Sequence, residues 1–512
     1  MKAATGVRQV VGDGMVGRHC AVNGESCAQG EAHSSQSLHS TVAAIIAAKS
    51  VESKATPRKG RQEGGCVKSS NRQSISYVSP VYRRGGAKQG TEAGSWVEAS
   101  IWTERMLAAL ENGVKGGKWF SLIDKVSRLR TLKIAWQKVA ANKGSAGVDG
   151  QSVKRFGHRA AEYLQELSEA LKSGSYRPQP VKRVEIPKGR GKTRPLGIPV
   201  VKDRIVQTAL KMVMEPIFEK EFEESSFGFR PQRGCKDALR EVDGLIKKGV
   251  THVVDADLAS YFDTIPHEAL MASVQQRISD GQILELIGGY LKQDVISDLK
   301  RWTPVGGTPQ GAVISPLLAN LYLHPLDRLM REKGYHMIRY ADDFVVMCPS
   351  AEAAQSALAE VRNWVEKNGL SLHPDKTHVG DCSVPGQGFE FLGYRFEAGK
   401  RWVRKKSVKA LRERIRARTK RTRGDSVEHI IESVNPMLHG WFVYFKHANP
   451  YVFKSIDGYV RRRLRAILRK QQKRPGMGHT HKDHQRWPNA YFAGHGLFTM
   501  SEAHALACRS RC

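Results

Sequence analysis

Two adjacent carboxylates, Asp342 and Asp343, sit between apolar runs in Ile338-Arg339-Tyr340-Ala341-Asp342-Asp343-Phe344-Val345-Val346-Met347. The flanking residues read as two β-strands joined by a tight turn that carries the acids. Strands on both sides would hold the carboxylates almost rigidly. A rigid acid pair suits divalent cations, and two Mg²⁺ ions about 4 Å apart are the usual device for in-line attack of a hydroxyl on a phosphate. An ordinary hairpin with Asp in its turn has the same local pattern. The rest of the chain decides between the two.

A second acid cluster, Asp255, Asp257 and Asp263, lies in Val253-Val254-Asp255-Ala256-Asp257-Leu258-Ala259-Ser260-Tyr261-Phe262-Asp263. On a strand, Asp255 and Asp257 share a face. One of them joining Asp342 and Asp343 would make a three-carboxylate metal site, and a buried acid cluster with no cation would be costly. Upstream, residues 186–199 read as a tight basic loop that projects Lys188, Lys192 and Arg194. Such a loop suits a triphosphate, with Arg as a fork and Lys as a point charge. A generic basic surface loop would look the same. Thr308-Pro309-Gln310-Gly311 precedes an apolar helical run at 312–323. It reads as a helix N-terminus from which Gln310 could touch a nucleotide or a template.

Short β-type runs and helical runs alternate from about 180 to 396, so the expected class is α+β. Residues 252–258 form a strand candidate, and 204–218 and 351–368 are helix candidates. Ser350 is a candidate N-cap and Gly369 a C′ stop for the last of these. Residues 104–143 carry helical apolar spacing at Met106, Leu107 and Leu110, followed by a loop at 144–150.

The chain holds 82 Lys+Arg against 50 Asp+Glu in 512 residues, a net charge of +32. That field attracts polyanions, nucleic acid ahead of an anionic membrane. Residues 400–423 hold 13 basic residues and one acid, Glu413, and residues 461–474 hold 8 and none, so 20 of the 32 net charges fall in these two runs. Val408, Leu411 and Ile415 recur at helical spacing in the first, predicting a helix with an apolar stripe and a basic face for nucleic acid. The apolar stretch at 42–48 is far too short to span a bilayer, and Met1-Lys2 is not followed by a signal-peptide core. Eight scattered cysteines with no C-x-x-C pair argue against a zinc finger and for reduced thiols in a cytosolic protein.

Tyr340-Ala341-Asp342-Asp343 resembles the signature of reverse transcriptases, and the order of blocks resembles the group II intron-encoded reverse transcriptase/maturase family. Arg194-Pro195-Leu196-Gly197-Ile198-Pro199 is similar to its fingers block, and Phe227-Gly228-Phe229-Arg230-Pro231 to the next. Asp257 to Asp263 resembles the first palm motif. Thr308-Pro309-Gln310-Gly311 with Ser315-Pro316-Leu317-Leu318-Ala319-Asn320 resembles the second. His373-Pro374-Asp375-Lys376-Thr377 and Phe391-Leu392-Gly393-Tyr394 resemble later palm blocks. The likeness runs from about residue 130 to 475.

The resemblance implies a right-hand polymerase fold with fingers and palm, followed by an α-helical thumb called domain X. The implied layout is a disordered extension at 1–95, a helical start at 96–180, fingers and palm at 181–396, the thumb at 397–475, and a short basic tail at 476–512. It makes Asp257, Asp342 and Asp343 the ligands of two Mg²⁺ ions, which Mn²⁺ can replace, and leaves Asp255 structural. Lys188 and Arg194 would grip the triphosphate of a dNTP. Phe262 would be the steric gate against a ribose 2′-hydroxyl, Gln310 would lie against the template–nucleotide pair, and Lys376 near the triphosphate. Arg404, Lys405, Lys406, Arg412, Arg416, Arg461, Arg462 and Arg463 would bind intron RNA. Trp441 and Phe445, four apart, read as core.

The implied partners are group II intron RNA, an RNA template with its DNA primer, target DNA and dNTPs, in a bacterial, cytoplasmic, nucleoid-associated protein. The tail holds His479, His481, His484 and His495 but only Cys508 and Cys512, which does not match an HNH endonuclease. Two other functions stay open. One is a reverse transcriptase of another bacterial lineage, although diversity-generating types usually have Ser-Gln where this chain has Pro309-Gln310. The other is an RNA-binding splicing factor with a dead polymerase, against which the intact Asp257, Asp342 and Asp343 count.

Overall fold

The computed structural model describes residues 97–509, apart from 99, 190–191, 298–299 and 423. The extension expected to be disordered, 1–95, lies outside the described residues.

The described chain opens with helices α1 (Glu104–Asn112), α2 (Leu129–Asn142) and α3 (Ala160–Lys172). Leu132, Ala135 and Val139 of α2 and Leu164, Leu167 and Leu171 of α3 are buried at helical spacing. Strands β1 (Val181–Gly189) and β2 (Lys192–Ile198) follow, then α4 (Val201–Glu219) and α5 (Cys235–Lys247). The basic loop expected at 186–199 is therefore mostly a long antiparallel hairpin, with a register shift between Pro187 and Gly189. Its two prolines did not prevent strands: Pro195 lies on the edge strand β2, and Pro187 lies beside the register shift on a stretch of β1 that pairs only with β2.

Next come β3 (His252–Asp257), α6 (Tyr261–Thr264), α7 (His267–Gln275), α8 (Gly281–Leu291), β4 (Val295–Ser297), β5 (Lys300–Trp302) and α9 (Ser315–Glu332). The helix expected from 312 starts later. Thr308-Pro309-Gln310-Gly311 is a loop on β2: Gly197 N donates to the Gln310 carbonyl at 2.7 Å. Gly311 has φ +112°, and a Cβ there would lie 2.4 Å from the Gly197 oxygen. Strands β6 (His336–Tyr340) and β7 (Asp343–Cys348) form the expected hairpin, followed by α10 (Ala351–Lys367) and β8 (His378–Asp381). Ser350 caps α10 by accepting from Ala353 N at 3.2 Å, and Gly369 has φ +68° beyond its end.

Two four-stranded sheets result, ordered β2-β1-β4-β5 and β6-β7-β3-β8. The second is antiparallel throughout and buried on both faces. On β3, Val254 and Ala256 point to one core, shared with α4, α7, α8, α9 and α10. Val253, with Ile338, Val345 and Met347, points to the other. The period-2 alternation thus splits apolar side chains between two interiors, so both faces read as continuous apolar runs.

The second core is filled by α5, through Ala238, Val242 and Leu245, and by the C-terminal part: strands β9 (Phe389–Phe391), β10 (Tyr394–Glu397) and β11 (Lys400–Val403), then α11 (Lys405–Arg418), α12 (Val427–Phe445) and α13 (Tyr451–Gln471). Leu411 and Ile415 are the buried stripe of α11. Trp441 packs on Phe445 with ring centroids 4.6 Å apart, the core role expected of that pair. The tail assigned to 476–512 does not stand apart. Helices α14 (His481–Arg486), α15 (Asn489–Gly494) and α16 (Met500–Arg509) bury Trp487, Phe492 and Met500 in the same core. Asp457 of α13 accepts from Met500 N at 3.0 Å and Ser501 N at 2.9 Å. The break expected at 475 thus falls inside one packed helical region. The sequence reading counted charges there and missed that the apolar positions are spaced to cover α13.

Candidate active site and nucleic-acid interface

Antiparallel register brings the three expected acids to one end of sheet β6-β7-β3-β8. Asp257 stands opposite Asp343 across β3 and β7, and Asp343 opposite Tyr340 across β7 and β6. Ala341 and Asp342 form the two-residue turn. Ala341 holds φ +60°, a left-handed conformation that side chains other than glycine seldom adopt.

A buried polar network fixes this turn. Arg339 is fully buried and pairs with the equally buried Asp327 through Nε at 2.7 Å and Nη2 at 2.5 Å. Its Nη1 donates to Asn320 Oδ1 at 2.9 Å and to the Ala341 carbonyl at 2.9 Å, and Nη2 also donates to Ser226 Oγ at 2.8 Å. All five guanidinium N–H groups are thereby used. Asn320 Nδ2 in turn donates to the Gly228 carbonyl at 2.7 Å. Gly228 lies flat on the turn: a Cβ there would sit 2.3 Å from Ala341 N. Sequence reasoning missed Arg339, Asp327, Asn320 and Ser226 as a unit. The available signal was a charged residue inside an apolar strand, which needs a buried partner.

Burial, and then the neighbouring charges of Asp342 and Asp257, push the Asp343 carboxyl up to about 8, with Arg404 and Lys376 pulling the other way. Asp255 lies on the same face and is likewise held well above the usual carboxylate range, by burial first and then by Asp343 and Asp257. Protein cations balance the site: Lys376 Nζ bonds Asp257 Oδ2 at 2.6 Å, and the Arg194 guanidinium feels the charge of Asp342. Among the described residues no three His, Cys, Asp or Glu side chains stand ready-made as a metal cage. The donor set still fits a hard divalent cation, because acids that suppress one another's ionisation gain most from added positive charge.

Two of the other expected nucleotide contacts share one cleft. Phe262 on α6 and Gln310 both line it, beside Pro195 and Gly197 of β2. Gln310 Nε2 donates to Asp263 Oδ2 at 3.1 Å, which fixes the amide. Arg194 lies on β2, opposite Ile186. Lys188 lies on the backbone of β1 near the hairpin tip, and its side chain is outside the described set.

The eight residues expected to bind RNA divide. Lys405, Lys406, Arg412, Arg416 and Arg462 are exposed, with Arg461 half-buried. Arg412 and Arg462 flank the Tyr459 ring at 5.6 and 5.4 Å. Arg404 and Arg463 are not on this open face. Arg404 lies 3.7 Å from Glu390, close enough to act on Asp343. Arg463 Nε donates to Thr419 Oγ1 at 3.0 Å and ties α13 to the end of α11. Arg465, at 2% exposure, is wholly internal and donates to the Trp487 carbonyl at 2.9 Å. Counting charge along the chain could not separate these, because a helix turns some of any basic run inward.

Residues 186–396 match the family model of reverse transcriptase (RNA-dependent DNA polymerase), and residues 408–487 that of the group II intron maturase-specific domain. The class is an RNA-directed DNA polymerase with a maturase region behind it. Protein YkfC of Escherichia coli (strain K12) is 38% identical over 318 residues, covering 54% of this chain and 82% of that protein. Group II intron-encoded protein LtrA of Lactococcus lactis subsp. cremoris is 37% identical over 200 residues, covering 38% of this chain and 33% of LtrA. The chain belongs to the group II intron-encoded reverse transcriptase/maturase family. Among solved structures, telomerase from Candida albicans overlaps 62% of this chain and 64% of that one at 12% identity, with a TM-score of 0.36. No helix among the described residues is long and apolar enough to cross a membrane.

Proposed function

We propose that this protein copies group II intron RNA into DNA during retrohoming, and that it also helps that RNA fold and splice. The observation that carries the reading is Asp257 opposite Asp343, with Asp342 held at the adjoining turn. On this reading sheet β6-β7-β3-β8 is the palm, sheet β2-β1-β4-β5 belongs to the fingers, and α11 to α13 form the thumb.

Asp257, Asp342 and Asp343 would hold two Mg²⁺ ions, with Mn²⁺ able to replace them. When bound, the ions supply the charge that lowers the pKa of the primer 3′-hydroxyl and neutralises the triphosphate. The chain's own residues do the rest. Lys376 balances Asp257 until substrate arrives, then offers its ammonium to the triphosphate. Arg194 and Lys188 grip the phosphates, Arg194 as a fork. Phe262 fills the space a ribose 2′-hydroxyl would need. Gln310, oriented by Asp263, lies against the template–nucleotide pair. Attack of the 3′-oxygen on the α-phosphate forms the new P–O bond and expels pyrophosphate. The exposed cations of α11 and α13 bind RNA by neutralising phosphate, as a compact intron requires. Target DNA, and a bacterial cytoplasm with association to the nucleoid, complete the setting.

Primer extension tests this, with an RNA template, an annealed DNA primer, dNTPs and Mg²⁺. The wild type extends, and Asp342→Asn/Asp343→Asn does not while binding RNA as tightly. Folded wild-type protein that binds RNA without extending would leave a splicing factor as the function.

A further inference from the structure

The cleft holding Phe262 and Gln310 continues beyond them. It encloses about 560 Å³ and runs across one face of sheet β2-β1-β4-β5. Its wall follows from register: Gly197 stands opposite Arg183, Val181 opposite Val295, and Val295 opposite Trp302. Alternate residues on a strand share a face, so these side chains form one continuous surface. With strands about 4.8 Å apart, Trp302 on the edge strand lies roughly 14 Å from β2. The facing wall is the loop after β5, together with Phe262 and Asp263.

At this far end the chemistry changes. Trp302 is 36% exposed, a large indole left open on an edge strand. The Arg183 guanidinium carbon lies 5.5 Å from its ring centroid and is steadied there by Glu185, whose Oε1 accepts from Nε at 2.9 Å. Val305, on the facing loop, is 98% exposed. An indole face with a cation behind it stacks on any nucleobase, and such stacking tolerates every sequence because every base has a π-face. The incoming nucleotide, gripped at the β2 end, does not account for this surface.

We propose that Trp302, backed by Arg183, is a stacking platform for an unpaired base of the template strand that has not yet reached the acids. This rests on the polymerase function proposed above. The platform holds the template by its base and leaves phosphate neutralisation to the basic helices, so its contribution changes little with salt.

The test compares the wild type, Trp302→Ala and Trp302→Phe by fluorescence anisotropy on two substrates. One is a primer–template with a single-stranded 5′ template overhang, and the other is the same duplex cut blunt. Trp302→Ala is expected to bind the overhang substrate about 5- to 150-fold more weakly and the blunt duplex unchanged. Trp302→Phe retains most of the affinity, and the deficit persists at high salt. Equal weakening on both substrates, or none on the overhang, overturns the proposal. So does a raised KM for dNTP with overhang affinity intact, which would assign Trp302 to the nucleotide. Extension by the wild type on the same overhang substrate is followed in parallel. Failure there would strike the polymerase function, while the overhang comparison still decides the role of Trp302.

Discussion

At the scale of single residues, the acids are held by a cation that touches no substrate. Arg339 spends its whole guanidinium on Asp327, Asn320, Ser226 and the carbonyl of the turn residue Ala341. Breaking a buried ion pair from one side leaves the other charge stranded, at a cost of about 3–5 kcal/mol. Arg339→Met is therefore expected to lose stability of that order in urea denaturation, and Arg339→Met/Asp327→Leu to recover most of it. A loss below about 1 kcal/mol in the single variant would show that the pair contributes little net stability. At this scale the sequence was half legible. Asp257, Asp342 and Asp343 announced themselves as acids in a basic chain. Asp327 did not, because nothing local marks a helical aspartate as the partner of an arginine twelve residues later. Arg404 and Arg463 looked like free cations until the fold turned them inward.

At the scale of elements, the hairpin β6–β7 and the helix α10 follow from local rules: two apolar runs, a two-residue turn, a serine cap and a glycine stop. The hairpin β1–β2 was harder to see, since glycines and prolines are loop signals, and it takes the edge position of β2 and the one-sided pairing of the end of β1 to accommodate them. The turn at Ala341 depends on a segment distant in the chain, because Gly228 leaves just enough room for it. Gly228→Ala is expected to displace the turn by a few tenths of an ångström or more. It should cut the primer-extension rate at least about 10-fold, since small misplacements of reacting groups are costly. RNA affinity, measured by filter binding, should stay within about twofold, because the basic helices are untouched. An extension rate equal to the wild type would mean that the turn yields without moving the acids.

At the scale of the whole molecule, charge and packing divide the C-terminal region. The apolar stripes of α11, α12 and α13 face inward, and Lys405, Lys406, Arg412 and Arg416 face solvent. If these four meet phosphates, changing all of them to Gln removes about 0.7–0.9 from the slope of log affinity against log salt for each contact, roughly 3 in total. An unchanged slope in a salt titration would place the RNA on another surface. The overall class and the acid site were readable from block order and composition. The extent of the helical region was not, because its last three helices are short and their apolar residues make sense only against α13.

Sheet β6-β7-β3-β8 belongs to two cores, and the second is completed by helices far downstream. A stop codon after β10 would strip Tyr444 and Phe445 of α12 from Leu392 and Tyr394, and leave that side of the second core facing water. The two halves of the gene are thus tied in descent. A lineage that ceased to need splicing would still have to keep the helices on which its polymerase folds. Such a loss would be recorded in the outward cations, free to drift, while the inward stripes stayed as they are.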